Sequence, residues 1–298
     1  MRRGVLAFLF LALTSLRAAG PLAQVLDRVS EEAEVFRRLA PKIVARETLH
    51  QKAQPRRRRF RLRIGKDALQ PPLIRYQHRE IISEYGFTHF REAPEALHEL
   101  RQVVSVDGRP VTGHEKARET LTLGVTTSDD RLKKNLLRRF EKYGLVGATT
   151  DFGQLILLFR RPNLPRYEFH QLREAFLGAD PVLVLGYRQR EGPEAFTIFA
   201  GRTATRARLE GELWVRKSDF VPLRITLNTT VAGDKHATTH RATVDYFPSA
   251  YGVILPAAVD YEELTDGRLV VENVATYSNY HLFSVHTEIR FGPAERPR

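Results

Sequence analysis

The chain contains no cysteine. That excludes a disulfide framework, a thiolate nucleophile, a thiolate metal site and the acylated N-terminal cysteine of a lipoprotein. Past the first residues there is also no uninterrupted apolar run of about 18 residues, the length a spanning helix needs. Catalytic signatures are missing too. There is no Gly-x-Ser-x-Gly elbow. His98-Glu99 and His114-Glu115 lack the second histidine of a zinc-protease helix. His236 and His240 fall in a strand-like stretch, where a spacing of four separates them by roughly 13 Å, too far to share a metal. Asp151-Phe152-Gly153 spells a kinase metal-binding tripeptide, but it stands without a glycine-rich loop or a His-Arg-Asp catalytic loop. Paired acids such as Glu31-Glu32, Asp129-Asp130 and Glu262-Glu263 point to different faces as neighbours do, and the first two sit where helices expect acids. The expectation is a protein without catalytic constellation, metal or cofactor.

What is present begins at the N-terminus. Met1-Arg2-Arg3, the apolar run Val5 to Leu13 and the small residues Ala18, Ala19 and Gly20 have the layout of a secretory signal peptide, and the run is too short to span a bilayer. Residues 1–20 are therefore expected to be a signal, residues 21–150 a helical and β region, and residues 151–298 an antiparallel β meander forming one structural unit with it. A periplasmic or secreted location follows as the expectation. The formal net charge is +12, of which Arg2, Arg3 and Arg17 carry three, leaving +9 on the remainder. A surface of that sign suits an anionic envelope surface, but a general preference for arginine over lysine is the favoured explanation, since net charge speaks to solubility rather than to a specific site; nucleic acid is not expected as a partner. The run Arg56 to Arg59 precedes Phe60, Leu62 and Ile64, which reads as the charged start of an edge strand.

Leu22, Val25, Leu26, Val29, Ala33, Phe36 and Leu39 recur at helical spacing, predicting a helix over 22–51 that Pro41 kinks or restarts. Gln70-Pro71-Pro72 reads as a loop. Ile81, Ile82 and Tyr85, then Val103, Val104 and Val106, lie in β-like runs, and Asp107-Gly108 is a turn signal. A second helix is predicted over 129–143, capped by Ser128, with Leu132, Leu136, Leu137 and Phe140 on one face and Gly144 at its C-terminal cap. From Asp151 onward, short apolar or alternating runs predict strands at Leu155 to Phe159, Val182 to Leu185, Phe196 to Phe199, Leu213 to Val215, Leu223 to Leu227, Thr243 to Phe247, Val253 to Tyr261 and Leu269 to Tyr280. Turns between them are too close for crossover helices, so the strands must be antiparallel and mostly sequential, roughly eight to ten in a sheet that curls.

Leu209-Glu210-Gly211-Glu212-Leu213-Trp214-Val215, the turn Lys217-Ser218-Asp219, Val221-Pro222-Leu223-Arg224-Ile225, then Val244-Asp245-Tyr246, Gly252 to Pro256 and the stretch near Tyr277 to Tyr280 follow one another in a distinctive order. Over about residues 205–285 this order resembles the outer-membrane lipoprotein-sorting superfamily, the periplasmic lipoprotein carriers and uncharacterised exported relatives. The resemblance implies an α+β fold: a large curved antiparallel sheet, a half-barrel, with helices packed on it and an apolar concave side that holds acyl chains. The expected function is binding of a lipid, a lipoprotein acyl chain or another hydrophobic ligand, with Trp214, Leu223, Ile225, Leu227 and Tyr246 contacting it and Arg206 and Arg208 at the rim holding an anionic head. The alternative is an envelope structural or protein-interaction module whose concavity is filled by aromatic side chains such as Trp214, Phe196, Phe199 and Tyr246.

Overall fold

A computed structural model describes residues 21–54, 75–145, 151–190, 208–233 and 236–283 in full, and residues 196–200 and 203–207 by their backbone. The predicted signal, the Arg56 to Arg59 run, the Gln70 to Pro72 loop and the Arg206 side chain lie outside these residues.

Helix α1 (Pro21–Leu39) buries Val25, Val29, Ala33 and Phe36, the three-and-four spacing of one apolar face. It ends two residues before Pro41, in a single 3-10 turn, Ala40–Lys42. The predicted continuation to residue 51 is not helical: Ile43–Ala53 forms strand β1, burying alternate residues. Pro41 cannot continue the helix. Beyond it, strands on both sides satisfy the backbone, and that pairing outweighs local propensity.

β2 (Gln77–Phe90) and β3 (Ala93–Val106) contain the two β-like runs, and Asp107 and Gly108, both at positive φ, turn the chain into the short β4 (Arg109–Pro110). Helix α2 (His114–Thr126) has no counterpart in the sequence reading. Its signal is masked by an interior glycine, Gly124, where a Cβ would lie 2.6 Å from Leu136 Cδ1; the missing side chain lets α2 meet its neighbour closely. That neighbour, α3 (Asp130–Tyr143), buries Leu136 and Phe140 as predicted. Its cap is Asp129 rather than Ser128: the Asp129 carboxylate accepts a hydrogen bond from the Arg131 amide at 2.9 Å. Gly144 follows in extended conformation, so no left-handed cap closes the helix.

The remaining strands are β5 (Tyr167–Leu177), β6 (Asp180–Gln189), β7 (Phe196–Ala200), β8 (Thr203–Ala207), β9 (Glu210–Arg216), β10 (Pro222–Ala232), β11 (Ala237–Pro248), β12 (Ile254–Thr265) and β13 (Arg268–Leu282). Of these nine, seven join the main sheet, fewer than the roughly eight to ten expected there, because β7 and β8 pair only with each other. Leu155–Phe159 is not among them; it forms 3-10 turns, because this apolar run crosses the sheet without an edge to pair with. Eleven strands make one antiparallel sheet in the order β4-β3-β2-β1-β13-β12-β11-β10-β9-β6-β5, while β7 and β8 form a separate hairpin. The sheet crosses residue 150 without interruption, since β1 pairs with β13. It is curved and not closed, a half-barrel with three helices packed on it, and the fold is α+β. α1 and residues 151–166 fill the concave side, whereas α2 and the Leu136 side of α3 cover the outer face of β1 to β3 around Val44, Leu100, Leu121 and Val125, and Phe140 of α3 joins the main core.

Candidate functional site

The concave face has two chemically distinct halves. On β9, β10 and β11 the inward positions are mostly apolar, with Leu213, Val215, Leu223, Ile225, Leu227 and Val244 all buried and Thr229 a buried polar exception at the end of the β10 row. On β1, β3 and β13 the inward positions include Glu47, Gln51, Glu99, Arg101, Asn273 and Tyr277, also buried. Alternation along the strand places them there: Glu47 stands between Ala45 and Leu49, and Glu99 and Arg101 between Leu97 and Val103.

Arg101 centres the polar half. Its Nε and Nη2 donate to Glu47 at 2.7 and 2.9 Å, Nη2 also donates to Glu99 at 2.5 Å, and Nη1 lies 3.7 Å from Asp151. The three side chains Arg101, Glu47 and Glu99 are 2, 0 and 0 % exposed, so the pairing is almost wholly desolvated. The guanidinium also stacks over the Tyr85 and Phe140 rings. Burial, only partly offset by Arg101, pushes the Glu99 carboxyl up to about 8. Burial likewise raises Asp151, with Arg101 and His98 opposing it, and lowers His98, with Asp151 opposing.

The segment laid across this face begins with Asp151-Phe152-Gly153. Asp151 joins the Arg101 cluster, Phe152 stacks on Tyr261 with ring centres 4.7 Å apart, and the Gly153 amide donates to Glu99 Oε1 at 2.7 Å. A Cβ at Gly153 would stand 2.7 Å from the Tyr85 hydroxyl and 2.9 Å from Glu99, so only glycine brings the backbone this close. Tyr246 holds the next turn: its hydroxyl accepts from the Ile156 amide and donates to the Gly153 carbonyl, both at 3.1 Å. Leu155, Ile156 and Phe159 then fill the apolar half. Arg160 ties the segment to α1 through Glu34 at 2.9 Å. The tripeptide set aside as a kinase motif is thus the contact between this inner segment and the sheet.

Between Glu47, Arg101, Phe152, Tyr261, Asn273 and Tyr277 remains a cavity of about 10 Å³, room for one water molecule. Asn273 and Tyr277 are 4 and 8 % exposed. Neither amide atom of Asn273 has a hydrogen-bond partner, and neither do the hydroxyls of Tyr277 and Tyr85.

Of the residues predicted to contact a ligand, Leu223, Ile225, Leu227 and Tyr246 share the concave face. Trp214 does not: it lies on the outer face between the guanidiniums of Arg173 and Arg224, 5.2 and 5.6 Å from its ring, and donates to Glu212 at 2.9 Å. The strand period explains this, because Leu213 and Val215 take the inward positions on either side. Arg208 is exposed. The side chains of Phe196 and Phe199 lie outside the described residues. Among the described residues no cluster of His, Asp or Glu could hold a metal ion. His236 instead pairs with Asp266, and His240 with the Tyr261 hydroxyl. The polar cluster of Glu47, Glu99, Arg101, Asn273 and Tyr277 was missed by sequence reasoning. Its signal was charged and amide residues recurring at the inward period of otherwise apolar strands.

Among solved structures, the chain is similar to a DUF1329 family protein from Desulfovibrio piger, with 12% identity, a TM-score of 0.34, and coverage of 91% of this chain and 96% of that one. No family model and no curated protein matches the chain, so the resemblance to the lipoprotein-sorting superfamily has no support from sequence families.

Proposed function

We propose that the protein is an exported, non-catalytic binding protein whose concave face takes an apolar chain, and that residues 151–159 occupy the seat until the ligand displaces them. One observation carries this reading: alongside α1 and the sheet's own aromatic side chains, the concave face is filled by an irregular segment crossing it, whose backbone is tied to the sheet by a few side-chain hydrogen bonds rather than by strand pairing. Leu155, Ile156 and Phe159 stand where an acyl chain would lie, and ligand methylenes, each worth about 0.8 kcal/mol on burial, would have to offset the burial these three side chains give up. The charged, apolar and small-residue succession of residues 1–20 supports export.

The test uses the fluorescence of N-phenyl-1-naphthylamine, an uncharged apolar probe, and its displacement by dodecanol. Wild type is expected to bind, and Gly153→Ala, which clashes with Tyr85 and Glu99, to bind more tightly because its inner segment is already loosened. Phe152→Ala, which removes the stack on Tyr261, should act the same way. Folded protein that binds no probe in any of the three forms supports the other reading, an interaction module with a permanently filled core. The small size of the remaining cavity, about 10 Å³, favours that alternative.

A further inference from the structure

We infer that the polar half of the concavity is the seat of the ligand's head, and that this head is an uncharged group that both donates and accepts hydrogen bonds, such as a hydroxyl. The inference rests on the proposed binding role and names the chemistry of what is bound. Asn273 offers an amide donor and a carbonyl acceptor, both without a partner, and the Tyr277 hydroxyl beside it is also unpaired. Unpaired polar atoms at this depth each cost about 1–3 kcal/mol, so a fold retains them where something else satisfies them. They border the same cavity, next to Phe152, the inner-segment side chain whose departure opens it.

The surrounding charge selects against an anion. Arg101 is the cation at this place, and its Nε and Nη2 protons already meet Glu47 and Glu99 while Nη1 faces Asp151. Three carboxyl groups around one guanidinium leave no excess positive charge for a fatty-acid carboxylate or a phosphate. An ammonium fits the charge but only donates, leaving the Asn273 amide protons unpaired. A hydroxyl-bearing head answers both sides of Asn273 and the Tyr277 oxygen. This reverses the expectation of an anionic head held by Arg206 and Arg208 at the rim.

The experiment measures displacement of N-phenyl-1-naphthylamine at neutral pH by monolaurin, laurate and dodecylammonium, which share a chain and differ in head. Wild type is expected to prefer monolaurin to laurate by about ten-fold or more. Asn273→Leu should lose that preference, with monolaurin affinity falling toward that of laurate, and the isosteric Tyr277→Phe should weaken it and serve as the variant if Asn273→Leu does not fold. Equal affinities for the three heads, a preference for laurate or dodecylammonium, or a monolaurin preference that survives both substitutions overturns the inference while leaving apolar binding intact. Folded protein that binds none of the probes overturns the binding role itself.

Discussion

The two halves of the concave face have the same backbone geometry and opposite chemistry. Under the apolar half, Leu213, Ile225 and Val244 pack as in any sheet core. Under the polar half, Glu47, Glu99 and Arg101 keep three charges-in-waiting away from water. A buried ion pair seldom adds stability over apolar side chains of the same volume, yet breaking one is severe. The difference teaches that burial alone suffices to account for the apolar half, which the proposal also makes the seat of the ligand's chain, whereas the polar half calls for a second reason, which we place in recognition of a head group.

Single truncation inside the polar half should produce the largest loss. Arg101→Met leaves Glu47 buried without its guanidinium and is expected to lower unfolding free energy by about 3–5 kcal/mol in urea titrations. The triple variant Glu47→Leu, Glu99→Leu, Arg101→Met is expected to recover most of that stability. If the triple variant is as unstable as the single one, the charges are needed for folding and the contrast between the halves collapses.

In the apolar half, Ile225→Ala is expected to cost about 2–5 kcal/mol, since the side chain is fully buried. Its effect should not change with pH. A loss well under that range would show that this half is a loose, ligand-ready surface rather than a packed core.

The halves should also differ in pH response. In the folded state Glu99 holds its proton up to about 8, whereas an unperturbed glutamate releases it near 4.5. Between those values the folded protein binds the extra proton, so stability falls as pH rises from about 4.5 to about 8. The lowered His98 acts oppositely and only below its ordinary value of 6.5. Glu99→Gln should flatten the fall between pH 6.5 and 8, read as urea midpoints across that range. An unchanged slope would place the titration elsewhere.

The smallest effect is expected away from both halves, at the cap of α3. Asp129→Ala should cost about 1 kcal/mol through loss of its bond to the Arg131 amide, and Ser128→Ala less. A larger cost at Ser128 would restore the cap position read from the sequence.

These contrasts also mark what the sequence made legible. α3 was clear because Leu136 and Phe140 keep helical spacing between polar neighbours, and β10 because Leu223, Ile225 and Leu227 alternate with Arg224 and Thr226. β1 was hidden because the helical spacing of α1 runs up to Leu39, and only pairing with β2 and β13 shows that the chain beyond Pro41 is extended. The apolar run Leu155 to Phe159 has strand composition, but strand structure requires a partner edge that the concave face does not offer. Within the site, Leu223, Ile225, Leu227 and Tyr246 were legible as an apolar face. Glu47 and Arg101 were not, because a charged residue within a strand ordinarily marks the outward face. Their partnership spans 54 residues of sequence and exists only once β1 and β3 both flank β2.

Displacement of the inner segment by ligand is the central claim, and amide hydrogen exchange at Gly153 and Ile156 tests it most directly. In the ligand-free protein these amides are bonded to Glu99 and Tyr246 and should exchange slowly. With saturating monolaurin the account predicts faster exchange at both, while the β10 amides of Ile225 and Leu227 stay protected. Unchanged or slower exchange at Gly153 and Ile156 with monolaurin bound would contradict it.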